Sequence, residues 1–356
     1  MASRIGGRKI VSKIGEGLNR NGSRVMQSTD GARRRGTAAR GKRRLPLLFA
    51  AVVAFVQVAT AAVASEVRRV NIGGEQRSYR LYIPPDLEDA PVPLVVALHG
   101  AVQSAAEFEA DLGMNAIARR EKFIVAYPEG INRVWDDARP PMMRLGYVVK
   151  PGDDVPFIAA VVRRLIAEGI ADPSRIYVAG LSMGGFMAAR MACEHSELFS
   201  AVAMMAATVP EQYRQSCKPR YPFPALMIHG TFDPIIPWFG VPMGGAGIMS
   251  ANDTAQLFAD LAGCMTSSDS KRPSLDRSGQ VSLRRWSLCR NNASVMLFTI
   301  PGGGHLPPSA QEGRGDTFVA WFLAERSHAI DAAEEIWMFF NQYRANRVRQ
   351  RGIKVQ

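Results

Sequence analysis

The chain has 356 residues, 47% of them hydrophobic, which is ample for a sizeable core, and a net charge of +12. Residues 1–44 carry 13 Lys and Arg against Glu16 and Asp30, so +11 of that charge sits in the leader and about +1 is left for everything after Arg44. A body this close to neutral argues against nucleic-acid binding, and its apolar content excludes a disordered chain.

The basic leader runs into an apolar stretch, residues 45–64, that ends in Ala62-Val63-Ala64. A positive region, an apolar region and a small-x-small site describe a secretory signal with cleavage after Ala64. The alternative is an uncleaved anchor, since about 20 residues can just cross a bilayer. Gln57, Thr60 and the many alanines weaken that alternative, and a membrane association is expected only if the segment is retained. The leader is long for a signal, and Met26 is a second possible start. Arg33-Arg34-Arg35 lies too far from the apolar region for a twin-arginine signal, and no cysteine near Ala64 offers a lipid anchor.

Beyond the signal, residues 67–83 read as a β-hairpin around Gly73-Gly74, and 93–98 as a strand buried on both faces of a parallel sheet. Ser104 caps an expected helix to about Arg120, and 123–127 form the next buried strand. Residues 128–153, with Trp135, Asp136 and Asp137, make a loop long enough to suggest a functional role. Asp153 or Asp154 opens a helix whose Ile158, Val161, Val162, Leu165 and Ile166 fall at helical spacing. Ile176-Tyr177-Val178 then leads to Gly180-Leu181-Ser182-Met183-Gly184 and a run of small, helix-forming residues: strand, sharp turn, helix, with a serine at the turn.

Two apolar strands follow, 199–205 and 224–228, the second ending in His229-Gly230-Thr231-Phe232-Asp233. A helix over 253–262 leads to a serine-rich stretch, 265–279, expected to be a polar loop. Strands 281–288 and 294–300 come next, and the latter opens onto Gly302-Gly303-Gly304-His305. A closing helix spans 329–343, with Ile336, Phe339 and Phe340 on its apolar stripe, and 344–356 is a basic tail. Strands and helices alternate without repeats or a dividing linker, so residues 65–343 are expected to form one α/β domain after the 1–64 leader and signal.

The chemistry sits at strand ends, where open α/β sheets collect function. A serine hydroxyl needs a base, and an imidazole oriented by a carboxylate is the usual one. Ser182, Asp233 and His305 occur in the order of an α/β-hydrolase triad. Asp253 is the alternative acid. Of the other histidines, His99 and His229 end strands and read as buried structural imidazoles, while His195 and His328 lie on or near helices. Met183 N–H, directly after the nucleophile, and Ala101 N–H, preferred to Val102, are the expected oxyanion donors. Gln103, Trp135 and Trp238 are candidate substrate contacts, though a core role is as reasonable for each tryptophan.

The four cysteines, Cys193, Cys217, Cys264 and Cys289, all follow the signal and include no Cys-x-x-Cys pair, which favours disulfides over metal ligation. Three pairings are possible, and proximity favours Cys193 with Cys217 and Cys264 with Cys289. Four buried thiols are the alternative.

Together the segments 79–84, 94–104, 127–130, 153–155, 175–185, 229–237 and 302–305, with Glu335-Ile336-Trp337 and Phe339-Phe340, resemble the polyhydroxybutyrate depolymerase and feruloyl esterase family. The resemblance spans about 67–343. It implies an α/β-hydrolase fold, no metal or organic cofactor, an ester substrate, and Ser182, Asp233 and His305 as the triad. The chain departs from that family's common pattern at Val102, where glycine is frequent, and at Met183, where asparagine is frequent. It departs again at Leu306-Pro307, where Thr-Trp often follows the histidine in members acting on polymers or aromatic esters. The rival expectations are a serine peptidase on the same fold and a silent binding protein that keeps the hydrolase shell. Oligomeric state leaves no mark in the sequence.

Overall fold

Val92–Leu98 (β3) is apolar at nearly every position and fully buried, as a strand covered by helices on both faces must be. In the computed structural model, which describes residues 65–87, 91–140, 154–243, 246–310 and 326–345, it lies near the middle of a ten-stranded sheet. The leader and signal segment (1–64), part of the long loop (141–153) and the tail beyond residue 345 fall outside the described residues.

The strands are β1 (Glu66–Ile72), β2 (Glu75–Tyr82), β3, β4 (Ile124–Pro128), β5 (Ala171–Leu181), β6 (Ala201–Met205), β7 (Ala225–Gly230), β8 (Thr266–Pro273), β9 (Gln280–Ser287) and β10 (Val295–Ile300). Their order across the sheet is β1-β2-β4-β3-β5-β6-β7-β10-β9-β8. From β4 to β10 each neighbour is parallel, and two antiparallel strands close each end.

Side chains alternate across the sheet with period two, so β3 feeds two separate cores. Leu94, Val96 and Leu98 pack with residues of α3 (Asp154–Ala167), α4 (Met183–Glu194) and α6 (Ala251–Ala262). Val95 and Ala97 pack on the opposite face with α1 (Ala105–Leu112), α2 (Met114–Glu121) and α7 (Ala332–Phe340). A one-turn helix, α5 (Tyr213–Ser216), completes the helical set among the described residues. Helices on both faces of a mostly parallel sheet make this an α/β-hydrolase fold.

Two expectations are corrected. The helix capped by Ser104 does not run unbroken to Arg120. Its capping box with Glu107 forms, but Gly113 at φ 69° ends α1, and α2 starts at the next residue. The stretch 265–279 is mostly strand: Thr266–Pro273 pairs antiparallel with β9 from Thr266↔Ser287 to Pro273↔Gln280. This edge strand is exposed on both faces, so burial imposes no apolar alternation and its sequence reads like a loop.

The cysteines pair as proximity suggested, Cys193 with Cys217 and Cys264 with Cys289. The second bridge joins the end of α6 to the end of β9, where Trp286 Nε1 also donates to Gln256 Oε1 on α6 at 3.1 Å. Each bridge closes a short loop of the unfolded chain, worth about 3 kcal/mol. Replacing both Cys264 and Cys289 by serine is expected to lower unfolding free energy by roughly that amount, read from urea titration, with a steeper denaturant slope because the unfolded chain freed of the cross-link exposes more surface.

Candidate active site

Ser182 follows the last residue of β5 and precedes the first of α4, with backbone at φ 52°, ψ −120°. A non-glycine residue there costs about 1–3 kcal/mol and persists only when its surroundings fix it. They do so here: Ser182 N–H donates to Met205 O on β6 at 2.8 Å, and its C=O accepts from Gly185 N–H at 2.8 Å and Phe186 N–H at 3.1 Å. The turn also needs Gly184, because a Cβ there would meet Leu98 O at 2.2 Å. The serine elbow is thus pressed directly onto the end of β3.

Asp233 lies beyond β7 and His305 beyond β10, and these two strands are parallel neighbours. Their loops are laced together. Thr231 N–H donates to Ile300 O at 3.0 Å, Phe232 N–H to Gly303 O at 3.0 Å, and Gly302 N–H to Thr231 Oγ1 at 2.9 Å. The approach is close enough that a Cβ on Gly230 would meet Gly303 O at 2.0 Å.

The result is a continuous chain of hydrogen bonds. His305 Nδ1 lies 2.8 and 3.0 Å from the two carboxylate oxygens of Asp233, and Nε2 lies 2.8 Å from Ser182 Oγ. An ionised carboxylate only accepts, so the ring proton belongs on Nδ1, leaving the Nε2 lone pair to accept from the serine hydroxyl. Asp233 Oδ1 also accepts from Ile235 and Ile236 N–H, both at 2.9 Å, which fixes the carboxylate's orientation. Asp233 and His305 are buried, whereas Ser182 keeps partial exposure. Asp253, the alternative acid, is instead bonded to Ser250 at the start of α6.

The first residue of α4 is Met183, whose N–H by position has no partner within the helix. Its side chain is wholly buried, and its sulfur accepts from Trp135 N–H at 3.4 Å. Across from it is the loop after β3. Val102 N–H is engaged by Arg133 O at 2.8 Å and so is unsuited to an oxyanion, which leaves Ala101 as the donor this loop can offer. Val102 itself sits at φ 56°, a conformation a β-branched residue adopts only under constraint, with its side chain 60% exposed.

His99, at the end of β3, is the buried pin under this loop. Its Nδ1 donates to Gly100 O at 2.7 Å, and its Nε2 accepts from Gly130 N–H at 2.9 Å, which requires the neutral ring. Burial lowers its pKa to about 4, helped by the charge of Arg133 and opposed by the Gly100 hydrogen bond and by Glu107. His229 is likewise buried, and burial lowers its pKa too. His195 pairs with Glu197 at 2.9 Å, and His328 Nδ1 lies 2.7 Å from Ser309 O, so both stand apart from the triad.

The three proposed substrate contacts fall elsewhere. Trp135 is fully buried, stacked obliquely on His99 with its Nε1 donating to His99 O at 2.9 Å; the indole backs the loop from inside the core. Trp238 is largely buried edge-on against His229. Gln103 is occupied by Gly100 N–H and Asp111. Two phenylalanine rings meet solvent in the segment after β7 that carries Asp233: Phe232, 71% exposed, and Phe239, 82% exposed. Sequence patterning passes over them because a single exposed phenylalanine carries no periodic signal. Among the described residues no group of three or more His, Cys, Asp or Glu is gathered to hold a metal ion.

The esterase PHB depolymerase family pattern matches residues 77–217, which include the loop after β3 and the serine elbow. A putative esterase, NocK of Nocardia uniformis subsp. tsuyamanensis, is 32% identical over 264 residues, covering 68% of this chain and 73% of that protein. The chain belongs to the esterase PHB depolymerase family. Family membership makes it a carboxylic ester hydrolase. It is also 27% identical to feruloyl esterase B of Piromyces equi, over 63% of this chain and 41% of that protein. With poly(3-hydroxyalkanoate) depolymerase C of Paucimonas lemoignei it shares 32% identity, over 46% of this chain and 39% of that protein. The chain thus spans well under half of these last two relatives. The acetyl xylan esterase from Aspergillus awamori has the same fold, with a TM-score of 0.50 and 18% identity over 72% of this chain and 98% of that structure.

The neutral, buried His99 makes this PHB depolymerase-family esterase sensitive to acid in a defined window. Its folded pKa of about 4 lies below the ordinary 6.5, so between those values only the unfolded chain takes up the proton. The contribution is present in full above pH 6.5, is lost as pH falls towards 4, and amounts to about 3 kcal/mol. Urea midpoints measured from pH 7.5 to 4 are expected to fall over this range, and to fall less steeply in His99→Gln.

Proposed function

We propose that the protein is an exported serine carboxylesterase that works through an acyl-enzyme. The observation that carries this reading is the imidazole of His305 bonded at once to Ser182 Oγ and to the Asp233 carboxylate. His305 Nε2 takes the serine proton as Oγ bonds to the ester carbonyl carbon. The carbonyl oxygen gains the negative charge and is held by Met183 and Ala101 N–H, each such donor being worth about 3 kcal/mol in the transition state. Asp233 holds the imidazolium in place without taking its proton. Collapse of the adduct breaks the bond to the alcohol oxygen, which receives the proton from Nε2. A water then gives a proton to His305, attacks the acyl carbon, and releases the acid as the proton returns to Ser182. Every proton and electron pair in this route is carried by groups of the chain, the substrate and that water.

The relatives named above suggest acetyl, feruloyl and hydroxyalkanoate esters as the substrates to try. Phe232 and Phe239, exposed on the acid side, and Val102, exposed on the oxyanion side, favour esters with an apolar or aromatic portion. Export is supported by the signal-like segment at 45–64 and by the two disulfides, which persist in oxidising compartments.

Ser182→Ala is expected to reduce p-nitrophenyl acetate or butyrate turnover by at least about 10³-fold. It also removes side-chain bulk from a strained position without adding any, so the thermal midpoint should stay close to that of the parent. Turnover retained in this variant would overturn the assignment.

A further inference from the structure

Gln103 sits two residues beyond Ala101, on the loop that joins β3 to α1, and its side chain joins two groups far apart in bonding character. Oε1 accepts from Gly100 N–H at 3.2 Å, and Nε2 donates to Asp111 Oδ2 on α1 at 2.7 Å. Its own backbone N–H closes the turn on Gly100 O at 3.4 Å. Gly100 is thereby held at both its N–H and its C=O by a single residue. It is also the residue of this loop packed against the nucleophile: a Cβ built on it would lie 3.7 Å from the Cβ of Ser182 and 3.7 Å from Leu181 O.

The direction of this clamp is dictated by charge. An amide can present either end to a neighbour, but an ionised carboxylate only accepts, so Asp111 forces the NH₂ of Gln103 towards itself. That leaves the amide oxygen facing Gly100, where an N–H awaits an acceptor. The next peptide unit, Gly100–Ala101, is planar and trans, so its C=O and N–H point in opposite directions. Fixing Gly100 at its N–H and its C=O therefore fixes where Ala101 N–H aims.

We infer that Gln103, oriented by Asp111, is a positioning residue that aims the Ala101 N–H at the developing oxyanion, rather than a residue that touches substrate. The inference rests on the esterase reading above and extends it to the pair Gln103–Asp111, eight positions apart and on no shared helix face.

The test uses the purified full chain, with p-nitrophenyl acetate as substrate and a phenylboronic acid as probe, since its serine adduct places an oxygen anion in the same pocket. Gln103→Met keeps the side chain's length but removes both hydrogen bonds. It is expected to lower kcat about 10- to 100-fold with KM changed by less than about threefold. Boronic acid affinity should fall by the same factor as kcat/KM. Gln103→Glu alone sets a carboxylate against Asp111 and is expected to lose kcat similarly. Combined with Asp111→Asn, it recreates the chain in reverse, with the carboxylate accepting from both Gly100 N–H and the new amide, and is expected to recover kcat to within about threefold of the parent. A Gln103→Met variant with unchanged kcat and raised KM would show direct substrate contact and overturn the inference. So would a double variant no better than Gln103→Glu alone. Parent turnover that Ser182→Ala abolishes is measured in the same assay, so either result would remove the positioning role and leave the esterase reading standing.

Discussion

The imidazole of His305 is the point at which the molecule's long-range organisation becomes chemistry. It lies 72 residues from Asp233 and 123 from Ser182 in sequence, yet bonds both at ordinary hydrogen-bond distances. Such a bridge tolerates errors of only a few tenths of an ångström, and loops alone cannot provide that. The accuracy comes from β5, β6, β7 and β10, parallel neighbours whose registers are set by buried apolar side chains on both faces. The loops then lock to one another through Thr231, Phe232, Gly302 and Gly303, so acid and base move as one unit.

The oxyanion side is built by different means. No strand pairing holds the 99–104 loop; a set of polar groups pins it. His99 reaches Gly100 O and Gly130 N–H, Arg133 O takes the Val102 N–H, and Gln103 holds Gly100 from the other side. Buried polar groups of this kind are costly when unpaired, which makes the arrangement all-or-none. Val102 and Ser182, at φ 56° and 52°, both hold left-handed backbone that their surroundings must fix. A buried His99 is stable only while neutral, so the same pin that shapes the site couples it to pH.

The departures at Val102 and Met183 differ in where they send their side chains. Met183 turns its side chain into the core, beneath Trp135, and contributes its backbone to the site. Val102 exposes its side chain, as do Phe232 and Phe239 in the segment after β7, while Trp135 and Trp238 are spent on packing.

Much of this was legible along the chain because it is local. A strand buried on both faces shows as an apolar run, as in 93–98. The strand-turn-helix around Ser182 shows in the glycines that only a close backbone approach requires. Asp233 and His305 stand at strand ends in an order that topology restricts, and cysteines about 25 apart met as proximity suggested. Other features depend on contacts that no short window contains. The edge strand 266–273 has no buried face and therefore no periodicity. Whether a tryptophan faces substrate or core depends on what lies across the fold, as with Trp135 against His99 and Trp238 against His229. Residue types and their order singled out Ser182, Asp233 and His305, the three side chains that the fold joins by hydrogen bonds. Tertiary structure alone decided that the loop after β3 is tied to Gly130 and Arg133, because those bonds join groups whose only relation is nearness in space.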